Sequence, residues 1–444
     1  MNEAEKNKAK YIKGCCAIFQ KPPKILHAKI STIKSIDKKI LYVASSSLPH
    51  QTTGYTTRTH AILKGICANG WDVTCTTRPG YPFDRNDLSV KYSDGVYELD
   101  GIIYEFLKGK GRRETPLDEY IYESAEILKK EMIQKCPSIV HAASNYEAGL
   151  PALIAAKELG IPFIYEVRGF WEYTSASKIE EWEKTERFAL DYQLEALVAQ
   201  NADLVITLNM AMADELVLRG VRREKIVFAP NALDIEKFYP VTKSNILAEK
   251  LGLKDDDFVI GYIGSIVNYE GLDTLIEAFC KVCQKIQNAK LLIVGNGKIL
   301  SGLEKLAASF NVSDKVSFTG AVAHKDVQQY FSLINAITIP RKPHKVCQLV
   351  SPLKPLEAMG MEIPLIVSDV SALKEMVKDE QTGLIHKTDD PDSLAEAILR
   401  LAQNPALREQ LAKNAKEEVI TNKTWNKVTK DISRHYETLI KSRG

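Results

Sequence analysis

Between Ile339 and Ser368 the chain sets a cluster of cations and one carboxylate between two apolar runs. The first run ends in Ile339-Pro340-Arg341-Lys342-Pro343-His344-Lys345, a loop crowded with positive charge. Ser351-Pro352-Leu353-Lys354-Pro355-Leu356-Glu357-Ala358-Met359-Gly360 then reads as a short helix with one carboxylate in its first turns, and Ile363-Pro364-Leu365-Ile366-Val367-Ser368 as a second buried strand. Backbone N–H groups at the helix start, together with Lys354, can hold an anion, and Glu357, about one turn further on, can meet a sugar hydroxyl. A nucleoside diphosphate, with phosphates next to ribose, satisfies both demands. The plainer reading makes Glu357 a capping carboxylate and Lys354 a solvated lysine.

Such residues need strand ends to hold them, and two stretches supply similar ones. Lys39-Ile40-Leu41-Tyr42-Val43-Ala44 leads through a loop with Thr52-Thr53-Gly54 into a helical run from Thr59 to Ala68. Phe258-Val259-Ile260-Gly261-Tyr262-Ile263-Gly264-Ser265 leads through Ile266–Glu270 into Gly271–Phe279. Each reads as a buried parallel strand feeding a helix through a Gly-bearing turn. Further strands are expected at Trp71–Thr76, Gly101–Phe106, Ser138–His141, Phe163–Val167, Leu204–Leu208 and Ile226–Ala229 in the first half. The second half repeats the pattern at Lys290–Val294, Val316–Thr319, Ala336–Ile339, Leu365–Ser368 and Thr382–Ile385. Strands alternating with helices at this density imply parallel sheets, so the fold class is α/β, with two doubly wound Rossmann-like domains facing across a cleft. The expected division is a basic extension at 1–37, a first domain at 38–238, a second at 239–425 and a final helix at 426–444 returning to the first, with the break in the turn-rich connector Pro230–Pro240.

Composition sets the limits. The chain has 444 residues, net charge +2 and 45% apolar residues, enough for two or three cores and with no bias toward nucleic acid. The charge is uneven: residues 1–39 carry ten lysines against Glu3, Glu5 and Asp37. With Tyr11, Ile12, Ile18, Phe19, Ile25 and Leu26 interspersed, this leader either touches an anionic membrane surface or is a solvated or partly ordered extension. It lacks the apolar core of a signal peptide, and no segment reaches the ~20 apolar residues of a membrane span. Eight cysteines in a chain of this length fit a reducing cytoplasm. Cys280 and Cys283 fall in a helical pattern without a second pair, which favours packing over zinc.

At this point the chain resembles the family-4 (group 1) retaining glycosyltransferases of GT-B fold, over most of residues 38–430. The match rests on Leu204-Val205-Ile206-Thr207, Arg219-Gly220, Lys225 to Asp234, Phe238-Tyr239-Pro240, Gly264-Ser265, Tyr269 to Asp273, Leu292 to Gly297, Phe318-Thr319-Gly320 and Pro352 to Met359. Gly54 to His60, Gly70-Trp71-Asp72-Val73 and Thr77 to Pro82 resemble the subset that builds bacterial surface polysaccharides. The resemblance implies transfer of a sugar, with retention, from a nucleoside diphosphate (UDP ahead of GDP on family frequency) to a glycan or lipid-linked acceptor. It also implies a cytoplasmic enzyme, at the inner face of the membrane if the leader docks there, with no metal and no cofactor beyond its donor substrate. Carried over, Glu357 would hold the ribose hydroxyls, and Gly54 would let backbone approach the diphosphate. Backbone N–H groups of Gly264, Ser265, Leu353 and Lys354 would meet the phosphates. Asn296 and the Phe318–Val322 segment, Val322 included, would line the base pocket, and His141 and Asn231 would face the cleft.

Some positions depart from the pattern. The family commonly has Arg after the glycine at 264 and Lys before the one at 271; here these are Ser265 and Glu270. The Glu usual eight residues before Glu357 is Leu349, and the His usual after the fifth strand is Arg168. A diphosphate leaving group still needs positive charge as the bond breaks, and Arg341, Lys354 and Arg168 are the candidates to supply it, at roughly 1.5–3 kcal/mol per charge-assisted contact. Glu270 would repel a diphosphate, so it is expected to turn toward Arg or Lys neighbours or a sugar hydroxyl. Arg168 reads equally as the partner of Glu166 or Glu172, and His60 and His141 as hydrogen-bonded core histidines. Asp255-Asp256-Asp257 precedes a strand and reads as a solvated turn. Two rivals stand beside the transferase: a sugar-nucleotide epimerase on the same fold, and a non-catalytic nucleotide-sugar-binding partner subunit.

Overall fold

A computed structural model describes residues 3–28, 31–85, 87–88 and 95–442. Met1, Asn2, Lys29 and Ile30 of the basic leader, and Arg443 and Gly444 at the other end, lie outside the described residues. The chain forms two compact units: Met1–Pro230 with Trp425–Gly444, and Asn231–Thr424.

The first unit is built on β1 (Ile36–Ala44), β2 (Asp72–Thr77), β3 (Val96–Leu99), β4 (Ile102–Glu105), β5 (Pro137–Ala143), β6 (Phe163–Val167), β7 (Leu204–Thr207) and β8 (Ile226–Phe228). Among the described residues the sheet order is β3-β4-β2-β1-β5-β6-β7-β8. Strands β5 and β6 are buried along their whole length, as strands covered on both faces must be, which is why their sequences are apolar runs without alternation. The edge strand β3 departs from the all-parallel expectation: it pairs antiparallel with β4, Leu99 opposite Ile102. Its turn is Asp100-Gly101, with φ of 51° and 76°, the backbone that a two-residue hairpin requires.

Two helices at the chain's ends belong to this unit. The N-terminal helix Glu3–Gln20 buries Gly14 and Ile18, and a side chain at Gly14 would stand 2.3 Å from the Leu117 amide nitrogen, so backbone meets backbone there. The leader is therefore a packed element along this stretch, not a loose solvated extension. The C-terminal helix Trp425–Lys441 buries Val428, Ile432 and Tyr436, and its Thr429 presses on Gly65 of the helix Gly54–Ala68. Trp425 falls here and not with the second domain, because the Arg58 guanidinium lies 5.4 Å from its ring centre.

The second unit holds β9 (Phe258–Ile263), β10 (Ala289–Val294), β11 (Val316–Phe318), β12 (Ala336–Ile339), β13 (Leu365–Ser368) and β14 (Leu384–His386). The sheet runs β11-β10-β9-β12-β13-β14 and is parallel throughout the described residues. It begins at Asn231, ahead of the expected 238/239 boundary, because Asn231 donates to the Ser351 carbonyl at 2.8 Å and Leu233 to Lys423 at 2.7 Å. The helix Leu272–Cys283 buries Leu272, Leu275, Ile276, Phe279 and Val282, an apolar stripe at helical spacing over the sheet. Each fully buried Leu or Ile contributes about 1.5–3 kcal/mol by leaving water. Cys280 and Cys283 pack half-buried against this core as free thiols, and Asp255–Asp257 form an exposed turn ahead of β9.

Candidate functional site

In a parallel sheet the loops after successive strands gather at one edge. In the second unit that edge collects Gly264-Ser265 after β9, Asn296 after β10, the 318–322 segment after β11 and Arg341 after β12. Gly264 has φ +152°, and a side chain there would stand 2.4 Å from Lys354 Cε. Glycine thus lets the lysine, the first residue of the helix Lys354–Gly360, cross the end of β9. Lys354 Nζ then lies 2.6 Å from the Tyr262 hydroxyl, to which it donates, and 2.8 Å from Glu270 Oε2. Arg341 donates to Glu270 Oε1 at 3.0 Å and to the Val350 carbonyl at 2.9 Å.

Glu270 does turn to the neighbouring cations. Burial alone would raise its pKa, but Arg341 and Lys354 outweigh that and hold it at about 2. Burial pulls the Lys354 ammonium below its ordinary value, with Glu270 opposing. Two cations around one buried carboxylate leave a single net positive charge at the edge, fewer free cations than the sequence suggests. Glu357 follows in the first turn of the same helix; burial raises its pKa to about 7, with Lys354 opposing. No hydrogen bond from the described residues reaches its carboxylate.

The other expected contacts are placed as follows. Leu353 caps the helix and is half-exposed, and Ser265 is exposed, its carbonyl accepting from the Tyr262 hydroxyl at 2.8 Å. Asn296 is exposed, and the Gly295 amide bonds the Gly320 carbonyl at 3.0 Å, which brings the segment containing half-exposed Val322 beside it. Leu349, at the position where the family carries Glu, is buried in the core. Asn231 is buried through its bond to Ser351.

In the first unit, Gly54 is exposed at the start of its helix, where Thr53 and Thr56 form a reciprocal cap. Arg168 and His141 require correction: both are interior. His141 is fully buried on β5, its Nδ1 2.5 Å from the Tyr436 hydroxyl and its Nε2 3.4 Å from Glu166. Burial lowers its pKa against the pull of Glu166. Arg168 spends its guanidinium on Glu166 at 2.8 Å, Thr59 at 2.7 Å and the Tyr55 carbonyl at 3.0 Å. Glu166 is also gripped by Arg58 at 2.8 and 2.9 Å and by the Tyr42 hydroxyl at 2.7 Å, and the two guanidiniums keep it ionised well below the usual range although burial opposes them. His60 is likewise tied, to Tyr104 and Asp100.

Tyr262, Tyr42, Tyr436 and Arg58 escaped sequence reasoning. For the tyrosines the signal is a polar tip inside an apolar strand or helix stripe, which must find a partner when buried. Arg58 sits on a helix face with no such mark.

The Glycosyl transferases group 1 family pattern matches residues 243–418, and the Glycosyl transferase 4-like domain pattern matches residues 53–232. An uncharacterized glycosyltransferase of Methanocaldococcus jannaschii is 29% identical over 44% of this chain; the match spans 48% of that protein, about half its length. The capsular polysaccharide biosynthesis glycosyltransferase CapM of Staphylococcus aureus is 25% identical over 69% of this chain and 78% of its own. Among solved structures, Anabaena Alr3699/HepE in complex with UDP superposes with a TM-score of 0.69 at 16% identity, covering 90% of this chain and 100% of that one. That likeness concerns the fold, which is GT-B. The two family patterns, in order along the two units, establish that the chain belongs to the group 1 glycosyltransferases.

Proposed function

We propose that this chain is a retaining glycosyltransferase moving a sugar from a nucleoside diphosphate, UDP ahead of GDP, to a glycan or lipid-linked acceptor in surface-polysaccharide synthesis, without a metal. The observation that carries the reading is the convergence of Gly264, Lys354, Arg341 and Glu357 at one sheet edge. There a cation beside exposed backbone can meet a diphosphate, and an unpartnered carboxylate can meet ribose. The UDP held by the Anabaena structure and the capsular role printed for the Staphylococcus relative support the donor and the pathway class.

As the bond from the anomeric carbon to the diphosphate oxygen breaks, negative charge grows on the leaving phosphates, and Lys354 and Arg341 stabilise it more than the ground state. Leu349 offers no carboxylate to serve as nucleophile, so a dissociative transition state with attack on the departing group's own face is the simplest route to retention. Peripheral contact with an anionic membrane through the basic N-terminal helix, at the cytoplasmic face, completes the proposal; among the described residues no helix is long and apolar enough to cross a membrane.

Lys354→Ala and Glu357→Ala should each cut transfer at least about tenfold, the scale of one lost charge-assisted contact, with folding intact by circular dichroism. Full activity in both variants refutes the assignment. The pairing of both cations with Glu270 favours a second reading, a non-catalytic nucleotide-sugar-binding subunit; calorimetry showing no heat with millimolar UDP or GDP would support it.

A further inference from the structure

Tyr262 lies fully buried on β9, two positions before the glycine that lets Lys354 cross the end of that strand. A phenol tip inside an apolar strand has to find hydrogen-bond partners, and this one finds two. The Tyr262 hydroxyl donates to the Ser265 carbonyl at 2.8 Å and accepts from Lys354 Nζ at 2.6 Å. Burial, with Glu270 adding to it, lifts the phenol's pKa well above its ordinary value, so the hydrogen that Ser265 takes stays on the oxygen. With that hydrogen committed, a lone pair is what the oxygen presents to the lysine. Lys354 Nζ also stands 4.6 Å from the centre of the Tyr262 ring, within reach of a cation–π contact.

The ammonium is held without being used up. It has three N–H donors. One goes to the Tyr262 hydroxyl and at most one more faces Glu270 Oε2 at 2.8 Å, so at least one remains unspent among the described residues. The lysine side chain is still 17% exposed, which leaves that N–H within reach of a ligand at the sheet edge. A lysine loses more rotamer freedom than most side chains when a ligand fixes it; here the tyrosine has fixed it beforehand. Phosphate oxygens accept from such a preset cationic donor with charge assistance.

We infer that Tyr262 is a positioning residue for the transfer reaction, its hydroxyl aiming the Lys354 ammonium at the donor's diphosphate. The diphosphate rests on the donor reading given above; the hold of Tyr262 on Lys354 does not. Tyr262 acts only through the lysine.

Tyr262→Phe removes the oxygen and keeps the ring, so it tests both halves in the full chain. Without nucleotide, acetic anhydride should acetylate Lys354 about tenfold faster in the variant than in the native chain, read by peptide mass spectrometry, since a lost contact to a charged group is worth about that factor. UDP and GDP are then titrated by calorimetry, and the tighter binder is carried through Tyr262→Phe, Lys354→Ala and the double variant. Tyr262→Phe should weaken binding about tenfold where Lys354 is present and leave it unchanged in the Lys354→Ala background. A tyrosine that serves only the fold of β9 would lower affinity by the same factor in both backgrounds, and that result would overturn the assignment. So would an unchanged acetylation rate, whatever the nucleotides do. Silence of both nucleotides in the native chain, with faster acetylation of the variant, would instead sink the donor reading and the aim at a diphosphate with it.

Discussion

Glu270 is the residue on which the proposed donor edge turns, since it takes up charge that a diphosphate would otherwise meet. Glu270→Gln leaves Arg341 and Lys354 without their carboxylate, and breaking a buried pair this way costs about 3–5 kcal/mol. UDP would restore an anion to the same cations. The variant should therefore melt well below the native chain and gain more from saturating UDP than the native chain does. Identical melting and identical UDP increments would show that Glu270 is not the charge partner that matters. Glu357 carries a second expectation. Its folded pKa of about 7 lies above the ordinary carboxylate value of about 4.3, so between the two the folded chain holds a proton that the unfolded chain lacks. That stabilising contribution is complete at low pH and fades as pH rises through about 7. Ribose hydroxyls need an ionised acceptor, so UDP-glucose, whose phosphates do not titrate there, should bind more weakly below pH 7 than above it. Calorimetry across this range should show the slope in the native chain and none in Glu357→Gln; a flat native profile removes Glu357 from the ribose contact. Glu270's turn toward cations was legible, because a lone acid beside Arg and Lys has few stable alternatives. The burial of His141 and Arg168 was not. Position at a strand tip tells which edge a residue occupies, but on a sheet covered on both faces it does not tell whether the side chain points out or folds back.

At the scale of elements, two glycines separate structure from site. Gly271 has φ +73°, and an added side chain would lie 2.0 Å from the Pro340 carbonyl oxygen, which is backbone and cannot step aside. At Gly264 the obstacle is the Lys354 side chain, which can. Gly271→Ala should therefore lower stability by about 3 kcal/mol, as clashes at special backbone positions do, read as a shifted urea midpoint. Gly264→Ala is strained too, by its φ of +152°, but unlike Gly271→Ala it should also weaken UDP binding by about tenfold, by pushing Lys354 off the end of β9. Equal UDP affinity in the two variants would break the distinction. Most strands could be read beforehand because each is a bounded apolar run feeding a helical stripe. β3 could not be read that way, since Val96 and Tyr97 are exposed on an edge; its mark was the Asp100-Gly101 turn. β14 begins two residues later than expected, since Thr382 is held in a turn, its hydroxyl accepting from the Lys378 amide at 2.9 Å.

For the molecule as a whole, the open question is how a chain of net charge +2 would find a lipid-linked acceptor, and the uneven placement of its lysines suggests the route. The N-terminal helix packs Gly14 and Ile18 inward, and Lys6, Lys10 and Lys13 stand exposed along the flank of that face, with Ile12, 50% exposed, on the side beyond them. Lysines near an anionic surface contribute about 1 kcal/mol each, so three are worth about 3 kcal/mol, enough for measurable but reversible attachment. An attraction of this kind is screened over a Debye length of about 10 Å at 0.1 M salt and shrinks as salt rises. The full chain should float with phosphatidylserine vesicles at low salt and dissociate at high salt. Replacing Lys6, Lys10 and Lys13 together by Glu should abolish flotation without moving the melting temperature, because none of these side chains is spent on packing. Flotation that persists in the triple variant, or that ignores salt, would assign the attachment to some other surface and leave this helix only its packing against the first unit.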